Sequence, residues 1–74
     1  MTKQKWATMF AERLKTMMLL RNINQSDLAK MSKLSPMAIG QYIQGTHVPS
    51  AYNAVKIARA LDVKVSYLID DIAV

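Results

Sequence analysis

The stretch that decides the fold is residues 25–44, QSDLAKMSKLSPMAIGQYIQ. Asn24, directly before it, is a favourable helix N-cap, and Asp27 three residues later completes a capping-box pattern. The apolar spacing that follows predicts a short helix over about residues 25–32. The side chains that this helix is expected to turn inward are Leu28, Ala29 and Met31.

A second helix begins at Ser35-Pro36, which pairs a capping residue with proline at the first helical position. This helix is predicted to end at about Gln44, because Gly45 suits the left-handed residue that follows a helix. Two short helices joined by a tight turn form a helix–turn–helix unit. Such a unit needs a small residue at the helix crossing, an apolar residue in the turn and a buried aliphatic residue midway along the second helix. The residues in those three places are Ala29, Leu34 and Ile39.

Around this unit, apolar periodicity predicts three more helices, over about residues 4–21, 51–61 and 65–71. Ser50 is the expected cap of the fourth helix, and Asp62 stands where the chain must turn after it. No strand pair, repeat or linker is visible, so the whole chain is predicted to be one compact all-α domain of five helices. The apolar stripe of the first helix consists of Trp6, Met9, Phe10, Leu14, Met17 and Met18.

The composition narrows the classes of function. The chain has 74 residues, no cysteine, one histidine and a net charge of +5. Neither a disulfide nor a zinc site is expected, and no nucleophile–base or paired-carboxylate pattern indicates an enzyme, a cofactor or a small-molecule ligand. No apolar run approaches the roughly 18 residues of a membrane span, and no signal peptide is apparent. The expectation is a small soluble cytoplasmic domain with a polyanionic partner.

The basic excess is unevenly placed along the chain. Residues 1–33 contain seven basic and two acidic side chains, whereas residues 34–74 contain three of each. No charged residue occurs between Leu34 and Val55. The second helix of the unit is therefore neutral, and attraction to a polyanion must come from elsewhere.

With its flanks, the pattern resembles the lambda-repressor-like family, the Cro/repressor-type (XRE) helix–turn–helix proteins. The resemblance covers about residues 9–70 without gaps and implies a sequence-specific transcriptional regulator that binds double-stranded DNA, of phage or prophage repressor type. The alternative is a protein-interaction module on the same fold, antitoxin-like or regulator-sequestering, which the uncharged stretch would also suit. The matching segments are FAERLK (10–15), RNINQSDLA (21–29), LSPMAI (34–39), QGTHVPS (44–50) and VKIARALDV (55–63).

Three positions depart from the family pattern. Lys33 stands in the turn where the family usually has glycine, and a left-handed backbone there costs a non-glycine residue about 1 kcal/mol. Met18 and Ile43 stand where many members pair arginine with glutamate. Because both are apolar, we expect the two side chains to pack against each other in place of a buried ion pair.

The resemblance also implies which residues read DNA. In the family, the second helix of the unit lies in the major groove and presents its N-terminal residues to the bases. Gln41 has an amide that can pair with adenine, whereas Met37 either packs on a thymine methyl group or belongs to the core. The residues expected to contact bases are Ser35, Pro36, Met37 and Gln41.

Contacts to the DNA backbone are expected from the ends of both helices. Gln25 is the strongest match to the family in this role. The other expected backbone residues are Asn24, Lys33, Gln44, Thr46 and His47, together with Lys3 and Lys5 in a basic arm at residues 1–5.

A single unit contacts few bases, so two copies are expected on a palindromic operator, as a homodimer at least on DNA. In the family, the segment after the fourth helix often makes the dimer contact. That segment is residues 63–74 here, and its candidate residues are Val65, Tyr67, Ile72 and Val74.

Overall fold

The computed structural model of the chain describes residues 2–69. Within that part of the chain there are five α-helices and no strand, which confirms the predicted all-α fold. None of these helices is long and apolar enough to cross a membrane. The predicted contacts of Ile72 and Val74 lie outside the described residues. The helices are α1 (Lys3–Arg21), α2 (Gln25–Ser32), α3 (Pro36–Gln44), α4 (Ala51–Ala60) and α5 (Val65–Ile69).

A polar side chain caps the start of each of the first four helices. Asn24 and Asp27 form the predicted capping box, while Ser35 and Ser50 accept hydrogen bonds from backbone N–H groups in the first turns of α3 and α4. The hydroxyl of Thr2 likewise accepts from the N–H of Lys5 at 3.1 Å. These bonds satisfy donors that have no partner inside the helix.

The predicted basic arm is therefore wrong as a description of Lys3 and Lys5. Both residues lie in the first turn of α1, because the cap at Thr2 starts the helix earlier than the apolar stripe indicated. Their side chains therefore project from the first turn of a helix and not from an extended segment.

Within residues 2–69, four residues adopt a left-handed backbone where the chain turns after a helix, and one of them, Gly45 (φ 76°), is a glycine. Lys33 has φ 59°, as the comparison with the family pattern anticipated, and Asp62 has φ 56°. Asn22 ends α1 in the same way, at φ 55°. Such a conformation disfavours any residue with a Cβ, although Asn and Asp tolerate it better than Lys does.

The core lies where α1 and α4 meet the helix–turn–helix unit. Ala29 and Ile39 are buried at the positions predicted for the helix crossing and for the middle of α3. The ring of Trp6 stacks on Phe10 at 5.7 Å between centroids, which places it as a lid on the first turns of α1. The largest fully buried side chains are Phe10, Leu14, Leu28, Ile39, Ile57, Leu61 and Leu68.

The predicted inward position of Met31 is wrong, since half of this residue is exposed. The buried face of α2 continues from Leu28 to Ser32, one turn later, and not to Met31. Ser32 is tolerated inside because its hydroxyl donates to the carbonyl of Leu28 at 2.7 Å. A polar residue thus occupies the place that hydropathy alone assigned to a methionine.

Met18 is buried in the core, and Ile43 is partly buried and packed against the same cluster. This arrangement leaves no charge at either position. Direct contact between the two side chains stays a prediction.

We expect Lys33→Gly to raise the free energy of unfolding by about 1 kcal/mol, because glycine adopts the left-handed backbone without a Cβ clash. Lys30→Gly is the matched control, since it removes the same charge from inside α2 and should lower the free energy of unfolding by about 1 kcal/mol. Urea unfolding at fixed salt measures both values. If both substitutions destabilise the protein equally, the backbone at Lys33 is not strained.

Candidate nucleic-acid interface

One face of α3 points away from the core and carries no charge. Met37 is 74% exposed, which resolves its two alternatives in favour of the surface. Gln41 lies one turn later and is half-buried, and Gln44 ends the same face and is exposed. A thioether followed by two amides therefore lines the side of α3 opposite the core.

The N-terminus of α3 is held by Ser35 and Pro36, both exposed. The hydroxyl oxygen of Ser35 accepts from the N–H of Ala38 at 3.0 Å, so its first role is to cap the helix. Pro36 occupies the first helical position, where a missing N–H costs no intrahelical bond. Both residues fix where α3 starts, and Met37 directly follows them on the exposed face.

Gln25 connects the two helices of the unit, which the sequence did not reveal. Its side-chain amide nitrogen donates to the carbonyl oxygen of Pro36 at 3.1 Å. The bond joins the first residue of α2 to the first residue of α3, and Gln25 is exposed. The structure thus places Gln25, which is predicted to contact the DNA backbone, against the start of α3, which is predicted to read the bases.

Asn24 is committed to the capping box in a way that limits its predicted role. Its side chain accepts from the N–H of Asp27 at 2.8 Å, while its own backbone N–H donates to the Asp27 carboxylate at 3.4 Å. That N–H is therefore occupied by a carboxylate and is not available to an anion. The free donors at this helix end belong to the next residues of α2.

In the loop after α3, the Thr46 side chain contacts both the end of α3 and the ring of His47. The Thr46 hydroxyl donates to the carbonyl of Gln41 at 3.2 Å. The same hydroxyl oxygen lies 2.9 Å from His47 Nδ1, and the tautomer of the imidazole sets which of the two atoms donates. The two contacts hold the His47 ring against the end of α3.

A groove of about 770 Å³ lies between the N-terminus of α1 and the loop that joins α3 to α4. It brings Lys3 together with Thr46 and His47, although the sequence separates them by more than half the chain. Lys5 is exposed but does not line this groove, and Lys33 is exposed in the turn between α2 and α3. The lining residues are Lys3, Gln4, Ala7, Gly45, Thr46, His47, Val48, Pro49 and Ser50.

Two tyrosines make contacts that the sequence did not indicate. The Tyr42 hydroxyl accepts a hydrogen bond from the Asn53 amide at 2.9 Å, which ties α3 to α4. Tyr52 is 71% exposed in the first turn of α4, and the Lys56 ammonium lies 4.9 Å from its ring centroid. The only signal in the sequence for this second pair is its spacing of four residues, which places both side chains on one helix face.

A second groove, of about 650 Å³, lies on the side where α5 packs against α1. Tyr67, a predicted dimer residue, lines it and is 44% exposed, and its carbonyl accepts from Arg13 at 3.2 Å. Val65 does not line this groove and is partly buried against the core, because α5 turns it towards the apolar cluster. The lining residues are Arg13, Met17, Val63, Lys64, Ser66 and Tyr67.

Comparison with known proteins agrees with this geometry. The model of the helix-turn-helix family HTH_3 matches residues 14–68. The crystal structure of the restriction-modification controller protein C.AhdI from Aeromonas hydrophila is similar, with a TM-score of 0.80 and 29% sequence identity. That match covers 84% of this chain and 94% of the other. Curated protein sequences gave no match.

If Met37 belongs to the surface, Met37→Ala should change the free energy of unfolding by no more than about 0.5 kcal/mol. Ile39→Ala, two residues along the same helix, should lower it by about 2–5 kcal/mol, because the fully buried side chain leaves a cavity. Thermal or urea unfolding of the two variants gives the comparison. A loss above about 2 kcal/mol for Met37→Ala would assign that residue to the core.

Proposed function

The chain belongs to the helix-turn-helix family HTH_3, and from this membership we propose that it recognises a specific sequence of double-stranded DNA as a transcriptional regulator. Family and structural neighbour together support DNA binding and regulation of transcription. Neither indicates catalytic activity. To this we add three proposals: the chain reads a particular operator, it binds as a dimer, and it regulates specific genes.

The observation that carries the proposal is the uncharged, exposed face of α3. Met37 and Gln41 project from it on the side away from the core, which is the geometry that major-groove reading requires. The Gln41 amide can both donate to and accept from an adenine edge, and the Met37 side chain can pack on a thymine methyl group. We assign base recognition to these two residues, with Ser35 and Pro36 at the edge of the contact.

Phosphate contacts flank this face in the proposed complex. Gln25 lies at one end, and the groove that contains Lys3, Thr46 and His47 lies beside the other. The Lys3 ammonium supplies positive charge there, and His47 lies beside it in the same groove. Gln44 and Lys33 are exposed next to the two ends of α3 and complete the assigned backbone contacts.

The chain could resemble either of two kinds of transcriptional regulator. The neighbour is a restriction-modification controller protein, whereas the resemblance in the sequence is to phage and prophage repressors of Cro type. The setting that the resemblance implies is bacterial or phage DNA in the cytoplasm. We propose this setting for the chain and retain the repressor role as the working assignment.

We further propose that two copies bind a palindromic operator as a homodimer. The groove along α5 is the surface assigned to the second copy, because it combines exposed aromatic area at Tyr67 with the apolar side chains of Met17 and Val63. Such aromatic and methionine surfaces are typical of protein interfaces. To read a palindromic operator, the two-fold axis of the proposed dimer must place the two α3 helices on successive turns of one DNA face.

DNA binding should show both salt dependence and sequence choice. The logarithm of the binding constant for a sequence selected from random duplex DNA should fall linearly with the logarithm of the salt concentration, as phosphate contacts require. Gln41→Ala should relax the preference at one base position and weaken binding to the selected sequence by about 1–3 kcal/mol. Fluorescence anisotropy over a salt series and repeated selection measure the two effects.

Tyr52→Ala is a suitable control for this experiment, since it removes an exposed side chain that has no assigned base contact. It should leave the base preference unchanged. If the wild-type chain selects no sequence, the regulator assignment is wrong and the protein-interaction alternative replaces it. If Gln41→Ala keeps the full preference, the assignment of Gln41 to base reading is wrong.

Self-association should depend on the α5 groove. Tyr67→Lys adds a positive charge beside Arg13 and Lys64 on both copies of a symmetric interface, so it should weaken the dimer at least about tenfold. Tyr52→Lys is the matched control on α4 and should leave the dimer dissociation constant unchanged in the absence of DNA. Sedimentation equilibrium measures this constant for both variants. Equal dimer strength in the two variants would exclude this surface.

A further inference from the structure

The hydroxyl of Tyr42 brings a polar atom into the apolar core of the domain. Tyr42 is 7% exposed, and its ring meets the ring of Phe10 edge-on at 6.2 Å. A phenylalanine would fill the same space without a hydroxyl that has to be hydrogen-bonded. The partner that the structure supplies is the side-chain amide of Asn53, which donates to the hydroxyl at 2.9 Å. What distinguishes tyrosine from phenylalanine at this position is therefore the bond to Asn53.

This bond connects two helices whose backbones stay apart. No Cα atom of α3 lies within 8 Å of a Cα atom of α4, and the structure describes both helices in full. The long side chain of Tyr42 spans that gap from α3, and Asn53 meets it from the first turn of α4. These two side chains, the Tyr42–Asn53 pair, therefore act on the placement of α3 relative to α4.

Asn53 also connects the pair with the groove that contains Lys3 and His47. The backbone N–H of Asn53 donates to the Ser50 hydroxyl at 3.1 Å, and Ser50 lines that groove. The groove assigned to DNA phosphates thus includes the residue that caps α4, whereas the residues assigned to the bases belong to α3. The Tyr42–Asn53 pair is a hydrogen-bonded link between these two parts of the surface.

The rotation of α3 about its own axis decides whether an amide on its surface reaches a base. Side-chain atoms lie about 5–6 Å from a helix axis, so a rotation of roughly 10° moves them by about 1 Å. The heavy-atom lengths of good hydrogen bonds vary by only about 0.5 Å. Apolar packing alone loses a unique arrangement before it loses stability, whereas a hydrogen bond fixes both direction and distance. A rotation of that size breaks the base contact of Gln41, the residue directly before Tyr42.

We propose that Tyr42 and Asn53 are positioning residues for base recognition, which set the rotation of α3 against the groove assigned to DNA phosphates. In this role neither side chain contacts a base, and Gln41 makes that contact. The inference rests on the DNA-binding function proposed above. Loss of the pair lowers the discrimination between sequences and leaves binding to DNA in general unchanged, whereas loss of a side chain that serves only folding would affect both alike.

The Tyr42→Phe substitution removes the bond and keeps the ring in the core. The folding equilibrium constant, measured by urea unfolding, should fall by no more than about tenfold, the usual worth of one hydrogen bond. Asn53→Ala removes the same bond from a partly exposed position and is a second variant that should stay folded. Tyr52→Phe is the matched control, because it removes a hydroxyl from an exposed tyrosine on α4.

Discrimination, the ratio of dissociation constants for random and selected duplexes, tests the role itself. Tyr42→Phe should lower this ratio about threefold to tenfold and change the constant for random duplex less than about twofold. In the Asn53→Ala background the same substitution should change the ratio less than about twofold. Tyr52→Phe should leave the ratio at its wild-type value. The preference should relax at the base position that Gln41→Ala also relaxes, and fluorescence anisotropy with repeated selection measures both.

Undiminished discrimination in Tyr42→Phe, equal losses in the two backgrounds, or equal weakening of the selected and random duplexes each overturn the positioning role. Relaxation at a base position other than the one lost in Gln41→Ala overturns it as well. A wild-type chain without any sequence preference overturns the proposed function itself.

Discussion

The attachment of α3 to the core is the constraint on which the rest of the surface depends. Ile39 is fully buried, and Tyr42 meets the ring of Phe10 edge-on at 6.2 Å while its hydroxyl binds Asn53. A helix repeats every 3.6 residues, so burial of Ile39 and Tyr42 turns the opposite face outward. That opposite face carries Met37, Gln41 and Gln44. The reading surface is therefore a consequence of core packing and needs no separate device to expose it.

The parts of this fold that follow from local rules could be predicted from the sequence. Asn24, Ser35 and Ser50 cap helices because each short polar side chain reaches a backbone N–H only a few residues away. Gly45 ends α3 for an equally local reason. The first helix was predicted from about residue 4 and begins at Lys3, where the side chain of Thr2 supplies the same capping chemistry. Helix ends are thus predicted better from caps than from hydropathy.

The relations between helices could not be obtained in this way. In the sequence, Gln25 is a match to a family position, and nothing connects it with Gly40. Their proximity appears only when the two helices are placed together, with the Gln25 amide nitrogen 2.9 Å from a Cβ built on Gly40. Met31 illustrates the same limit, since the choice between it and Ser32 for the buried side depends on the angle at which α2 meets the core. Such facts belong to tertiary geometry.

The separation of charge from the reading helix has a consequence for specificity. A lysine on α3 would be attracted to every phosphate and would strengthen binding to all sequences equally. The amides of α3 gain little from DNA in general, because they exchange hydrogen bonds with water for hydrogen bonds with a base edge only when the donors and acceptors match. In the proposed complex, charge at Lys3 and Lys33 raises the overall affinity, while Gln41 contributes to the difference between sequences. A neutral α3 combined with a basic periphery favours a high ratio of specific to non-specific binding in so small a domain.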